Sequence, residues 1–354
     1  MIYNEPYKYD LSVIVIGNNE MWMSKTVEDI CEHKRGKTEV IAVLDGGIWA
    51  NPAIKQHPDV KVIFIPTTIG QRAATNVGVR LSKAKYVAKA DAHCSFDEGF
   101  DVKMLEAFKQ EGDNAVIVPI MRNLHAFDWK CYHCGWKRDQ GPTPTACEKC
   151  GKSDKIRRKI TWDLRKNKFS QAYTFDSTPH FQYHDQYKKT EKYNKDKAET
   201  GLTETMGLQG SFFMATREKY WELNLSDESA GSWGNQGIEV ACKMWLSGGR
   251  VLCNHKTWYA HMFRTQGGDF SFPYDQPGNA VQQTKQRVWE HFFNGKFKQQ
   301  IHPMSWLVER FGPMPIQGKD SKQRSTESTG EQYLTDYWNE ETLKALKEQE
   351  LQKK

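Results

Sequence analysis

A chain of 354 residues is long enough for one large α/β domain or two ordinary ones. At 38% hydrophobic and 27% charged residues it reads as globular, and no apolar run approaches the roughly 18 residues that a spanning helix needs. The net charge of +6 is unevenly placed: residues 130–199 hold 17 Lys/Arg against 9 Asp/Glu, a surplus of +8 that leaves −2 for the rest. Met1 to Asp10 has no apolar signal core, so the expected location is the cytoplasm of the cell that makes the chain.

In chain order, Leu11 to Ile16 (LSVIVI) is a β-branched run closed by Gly17-Asn18-Asn19, the pattern of a buried parallel strand. A helical pattern follows from Ser24 to Cys31. Glu39 to Leu44 predicts a second strand ended by Asp45-Gly46-Gly47, and Val60 to Ile65 a third. Gly70 to Leu81 has helical spacing, and Tyr86 to Ala90 predicts a fourth strand. Strands alternating with helices imply right-handed crossovers and a mainly parallel sheet. Polar groups follow three of the strands: Asn19 and Glu20, then Asp45, then Asp91 and His93. In open α/β sheets ligands gather beyond the carboxyl ends of strands. Asp91 and His93 are two residues apart, so on an extended segment both reach one side and one metal ion. The turn after the first strand is Gly-Asn-Asn-Glu, so the Gly-x-Gly-x-x-Gly fingerprint of a dinucleotide site is absent, as is a phosphate-loop lysine motif.

Ile117 to Ile120 predicts another strand, after which the chain enters a basic excursion. Cys131-x-x-Cys134-Gly and Cys147-x-x-Cys150-Gly lie twelve residues apart. Paired thiolates at this spacing predict a zinc ribbon whose four cysteines close a structural Zn²⁺ site. The other four cysteines are scattered. Lys155 to Lys159, then a Lys-, Tyr-, Phe- and His-rich stretch to Tyr193, fit contact with a phosphate backbone and stacked bases. They also fit a plain solvated face. Beyond Gly201 come Gly207 to Thr216, a helix at Arg217 to Leu223, and Trp233-Gly234. A helix at Gly237 to Ser247, Gly248-Gly249, a short strand at Val251 to Cys253, and Tyr259 to Arg264 complete the core. The expected organisation is 1–128 as a nucleotide-binding half, 129–203 as the zinc-ribbon insertion and 204–312 as an acceptor half. Residues 313–354 form a polar tail with a short helix at Thr342 to Leu351.

This order resembles the GT-A glycosyltransferases of family 2 in the broad sense. Asn19-Glu20-Met21-Trp22 and Asp91-Ala92-His93-Cys94 are similar to segments of the polypeptide N-acetylgalactosaminyltransferases. So are Trp233-Gly234, Glu239, Trp245, Gly248-Gly249, His261, Phe263 and Arg264. The likeness covers about residues 10–125 and 203–295. It implies an α/β GT-A fold and metal-dependent transfer of a sugar from a nucleotide-diphosphate donor, with a UDP-sugar preferred, to a hydroxyl. It makes His261 the third ligand, with Asp91 and His93, of Mn²⁺ or a similar cation. It places the nucleotide against Asn19, Glu20, Asp45, Gly70, Arg72 and Asn76, with Arg264 and Arg72 adding charge at the diphosphate. Trp233 would floor the sugar or acceptor. Where inverting relatives carry a base beside the helix start, this chain has Gln236-Gly237. Either the mechanism is retaining, or Glu239, Asp227 or Glu228 supplies the base. The basic insert points to nucleic acid as acceptor, for example a hydroxymethylated base, with a protein hydroxyl or a cell-surface glycan as alternatives. A reading of another class is a non-catalytic nucleic-acid-binding ribbon on a degenerate transferase fold. Oligomeric state is unknown.

Overall fold

The computed structural model describes residues 7–177, 179–232, 234–263, 274, 279–312 and 340–352. The first part runs β1 (Tyr9–Gly17), α1 (Met23–His33), β2 (Thr38–Asp45), β3 (Val60–Ile65), α2 (Gln71–Leu81) and β4 (Ala84–Asp91). β5 (Cys94–Phe96), α3 (Phe100–Glu111), β6 (Ala115–Cys131), β7 (Lys137–Asp139) and β8 (Ile156–Ser170) follow. Then come β9 (Tyr173–Phe175), β10 (Phe181–Tyr183), α4 (Glu191–Glu199), β11 (Leu202–Glu204), β12 (Phe212–Thr216) and α5 (Arg217–Glu222). The chain closes with α6 (Gln236–Leu246), β13 (Arg250–His261), α7 (Ala280–Val288), α8 (Met304–Phe311) and α9 (Glu340–Leu351).

The central sheet has the order β11-β13-β6-β12-β4-β1-β2-β3. β1 pairs parallel with β2 and β4, and β2 with β3. β12 runs antiparallel to both β4 and β6, which sets β6 in the direction of β4, and β13 is parallel to β6. The carboxyl ends of β1, β2, β4 and β13 therefore share one edge, and that edge collects the polar residues. β1, β2 and β4 are almost wholly buried, because helices cover both faces of a parallel sheet. The architecture is the mixed, mainly parallel α/β sheet expected. α9 packs Leu343 and Leu346 into the main core, while Glu350 accepts from the Ser305 N–H at 3.1 Å; Leu351 stays exposed. No described helix is long and apolar enough to cross a membrane.

Two departures from the sequence reading matter for the site. First, the strand expected at Ile117 to Ile120 runs on for 17 residues, through position 128, to the first knuckle. β8 returns antiparallel along it, from Ile156 opposite Cys131 to Ser170 opposite Met121, and β7 flanks the other side. The insertion is thus an arm grown from the core sheet. Second, the short strand expected at Val251 to Cys253 extends to His261, pairing His261 with Asn123 of β6 and Cys94 of β5. A bulge between His125 and Phe127 puts Trp162 in the left-handed region (φ 55°), which is strained for a bulky side chain. That conformation turns the indole onto the body of the protein. Its N–H donates to Asp29 at 2.9 Å, and its ring lies 5.5 Å from Trp22.

Candidate metal and donor site

β4 ends in Asp91, the next turn carries His93, and β13 ends in His261. Their Nε2 and carboxylate atoms all lie within 4.8 Å of one another. His93 Nε2 is 3.0 Å from His261 Nε2, which is 3.4 Å from the Asp91 carboxylate. Metal bonds of about 2.1 Å at right angles place neighbouring ligand atoms about 3.0 Å apart, so the set fits one divalent cation. Two imidazoles with one carboxylate suit Mn²⁺ or a similar first-row ion. Glu20 accepts from His93 Nδ1 at 3.1 Å, which fixes the tautomer that turns the Nε2 lone pair inward. Burial pushes the His261 imidazole down to about 4, so it is neutral and able to ligate at pH 7. Burial alone would raise the Asp91 carboxyl, but Lys89 and His261 pull it well below the usual carboxylate range.

These groups floor a cleft of about 510 Å³ whose walls include Gln71, Ser211, Gln236, Phe263, Tyr274 and Lys285. Lys89 is buried at this floor, pairing with Asp91 and donating to the Gly210 carbonyl at 2.6 Å. Sequence reasoning passed over it; the signal was a lysine inside the apolar strand Val87-Ala88-Lys89-Ala90, two residues before Asp91 and so on its side of the sheet. Tyr274, also unanticipated, is buried beside Asp45, whose charge together with burial holds the phenol well above its usual range.

The remaining expected residues divide into four groups. Asn19 is exposed in a left-handed turn (φ 47°), while Glu20 lines the cleft. Asp45 turns both oxygens to the loop before α2, accepting from the Ile69 and Gly70 N–H groups at 2.8 and 3.0 Å. Gly70 itself has φ 92°, and a Cβ there would sit 2.9 Å from Ser232 Oγ. Arg72 is fully buried away from the cleft wall. Its guanidinium donates to the Gly231 and Gly234 carbonyls at 3.0 and 2.7 Å and pairs with Glu239 at 3.0 Å. Glu239 is held on its other oxygen by Lys243 at 2.6 Å. Asn76 is engaged by Ser226, Glu228 and Tyr220. Trp233 and Arg264 lie outside the described residues.

Glu239 lies between two buried cations, and one of them, Arg72 of α2, also holds the Gly231 and Gly234 carbonyls. Glu239→Gln removes the carboxylate from both cations but leaves Arg72 the Gly231 and Gly234 carbonyls and Lys243 that of Asn224, so it should cost about 2–3 kcal/mol. The check is urea unfolding, where the midpoint falls at constant slope. Turnover per folded molecule should stay within severalfold of the parent. A catalytic base would give the reverse pattern, with stability kept and turnover lost.

The departure at Gln236-Gly237 has a steric cause. A Cβ at Gly237 would sit 2.0 Å from the Leu208 carbonyl oxygen, so the approach of the 208–210 loop to α6 leaves room for no side chain. Gln236 is buried, accepting from Gln71 at 3.1 Å and donating to Ser226 at 3.2 Å. Among the described residues, the carboxylates lining the cleft are Glu20 and Asp91, both on the metal side.

Residues 12–156 match the family description "Glycosyl transferase family 2". That match spans 145 residues, about two-fifths of this chain. The chain is 24% identical over 278 residues to polypeptide N-acetylgalactosaminyltransferase 3 of Drosophila melanogaster, across 75% of this chain and 36% of that protein. To the probable N-acetylgalactosaminyltransferase 6 of Caenorhabditis elegans it is 30% identical over 120 residues, 31% of this chain and 19% of that one. The chain thus spans about a third of the length of the first of these relatives. The crystal structure of GalNAc-T7 with UDP, GalNAc and Mn²⁺ aligns over 90% of this chain and 54% of its own, with a TM-score of 0.57 and 16% identity. The fold is therefore GT-A.

In the arm, Cys131 and Cys150 Sγ are 3.8 Å apart and Cys134 and Cys147 Sγ 3.5 Å. All four lie within 4.8 Å of one another. A tetrahedron with Zn–S bonds of about 2.3 Å needs sulfurs about 3.8 Å apart, so the cluster fits that ion. Each knuckle closes with a glycine N–H donating to the first cysteine's carbonyl, Gly135 to Cys131 at 2.9 Å and Gly151 to Cys147 at 2.8 Å.

Proposed function

We propose that this protein transfers a sugar from a UDP-sugar to a hydroxyl acceptor, with Asp91, His93 and His261 holding a Mn²⁺-type cation. The observation that carries this is the convergence of those three side chains at the floor of a donor-sized cleft. The cation, when bound, neutralises the diphosphate as its bond to the sugar breaks. Glu20 keeps His93 in the ligating tautomer. Lys89 keeps Asp91 ionised and oriented, and it adds a second fixed positive charge where the leaving group develops negative charge. The charge and geometry around Asp45 and Tyr274 fit a position beside the nucleoside, with Asp45 setting the loop backbone there. The ribbon cysteines hold Zn²⁺ as a staple.

Retention of anomeric configuration is the reading favoured by the carboxylates among the described residues of the cleft wall. Glu20 and Asp91 serve the metal, Gly237 excludes a side chain, and Glu239 is tied to Arg72 and Lys243. The acceptor's proton then goes to the departing phosphate on the same face. Turnover of a nucleotide-sugar panel with and without Mn²⁺ tests the reaction, and NMR of the first product tests its stereochemistry. An α-linked donor should give an α-linked product. A β product would contradict retention and point to a carboxylate base. For the acceptor, the +8 surplus of the insert favours nucleic acid over a protein or glycan hydroxyl.

A further inference from the structure

The positive charge of the arm is ordered. Lys130 of β6 is paired with Lys137 of β7 on one side and with Arg157 of β8 on the other. Residues at paired positions share a face, so three cations stand in one row, with strands about 4.8 Å apart. Like charges set opposite one another destabilise a sheet, and folding of the ribbon gains nothing from this row. No carboxylate pairs with these three among the described residues: Lys130 lies 4.8 Å from the ring centre of Tyr132, and Arg157 bonds only the Ile156 carbonyl. The next row on the same face is Asp139, Asp128 and Lys159. Its carboxylates already face His125, at 2.9 Å from Asp128, and Arg165, at 2.6 Å from Asp139. On the reverse face, Arg158 covers Trp129 at 4.9 Å and Arg138 pairs with Glu148 at 3.2 Å. The reverse face is internally satisfied and the row is not.

The row has a fixed distance from the chemistry. Lys130 is seven residues along β6 from Asn123, the partner of His261, which is about 23 Å at 3.3 Å per residue. A duplex strand advances about 3.4 Å per nucleotide, so 23 Å is about seven steps. Exposed Tyr132 beside Lys130 adds a ring on which a base can stack.

We infer that Lys130, Lys137 and Arg157 clamp the phosphate backbone of a nucleic-acid acceptor, about seven nucleotides from the position held in the cleft. The acceptor role rests on the transferase reading above, whereas the clamp itself does not. The experiment is equilibrium binding of the zinc-loaded full chain to labelled 20-mers of single-stranded DNA, duplex DNA and RNA. Polyglutamate of equal charge is the protein-like competitor, and salt runs from 50 to 200 mM. Each phosphate contact contributes about 0.7–0.9 to the salt slope, so the triple variant K130Q/K137Q/R157Q should lower the slope by about 2 to 3. It should weaken binding more than tenfold for every sequence, with zinc content and donor hydrolysis unchanged. The control K37Q/K83Q/K109Q changes net charge equally, far from the arm, and should have little effect. An unchanged slope in the triple variant, equal losses in the control, or polyglutamate bound as tightly as the oligonucleotides would each overturn the clamp. Nucleic-acid binding that is lost in the triple variant, beside absent donor turnover in the parent, would uphold the clamp and remove only the transferase reading.

Discussion

His261→Ala should lower donor turnover by about a thousandfold while leaving the fold in place. The size follows from the several kcal/mol that a cation contributes at a departing diphosphate, at 1.36 kcal/mol per decade. The stability forecast follows from the contacts of the ring. Its Nδ1 has no hydrogen-bond partner among the described residues, and its Nε2 faces only His93 and Asp91. Removing it breaks no buried hydrogen bond to the backbone, so the melting temperature should shift by only a few degrees. Asp91→Ala should be as damaging to turnover but worse for stability, because it leaves the buried Lys89 ammonium with only the Gly210 carbonyl. The comparison of the two variants separates metal loss from charge burial. Both should lose Mn²⁺, and Asp91→Ala should also lower the unfolding midpoint. Full Mn²⁺ affinity in His261→Ala would remove it from the ligand set.

Cys147→Ser should release zinc and unfold the arm. Cys147 is buried in a cluster with Cys131, Trp129, Phe127 and Ile156, and that cluster continues into Trp22, Ala260 and Met262. Metal binding in such small ribbons is folding free energy, of order 10 kcal/mol in isolated zinc modules, and the arm has little apolar core to replace it. Ala260 and Met262 flank His261 at the end of β13, so the loss should reach the proposed cation site. The expected results are one zinc per chain in the parent, none in the variant, a collapsed near-ultraviolet signal from Trp22 and Trp162, and weakened Mn²⁺ binding. If the variant keeps that tryptophan signal and its turnover, the ribbon is an independent appendage.

Much of this was legible in the sequence because the period of the residues says what the sheet needs. Runs such as LSVIVI and EVIAVL can only be buried parallel strands, and the polar residues after them must then share an edge. Asp91 and His93 followed from spacing. His261, 168 positions beyond His93, followed only from family likeness, since no local pattern says which distant strand ends beside β4. Three things were hidden for physical reasons. That Arg72 and Glu239 pair with each other, across 167 positions, has no local pattern in the sequence. Lys89 was passed over inside a predicted strand, and only the structure shows it buried against Asp91 at the cleft floor. The strands of the arm were not predicted, because alternation in β8 is carried by Arg, Lys and Trp, which read as surface until β6 is known to extend beneath them.

The most direct measurement is a titration of the protein with Mn²⁺, followed by electron paramagnetic resonance, in the absence and presence of UDP. If Asp91, His93 and His261 hold the cation that binds the donor diphosphate, one Mn²⁺ binds per chain and UDP tightens it. Mn²⁺ must then tighten UDP by the same factor. Binding of UDP that is indifferent to Mn²⁺, or coupling that survives in Asp91→Ala and His261→Ala, would contradict it.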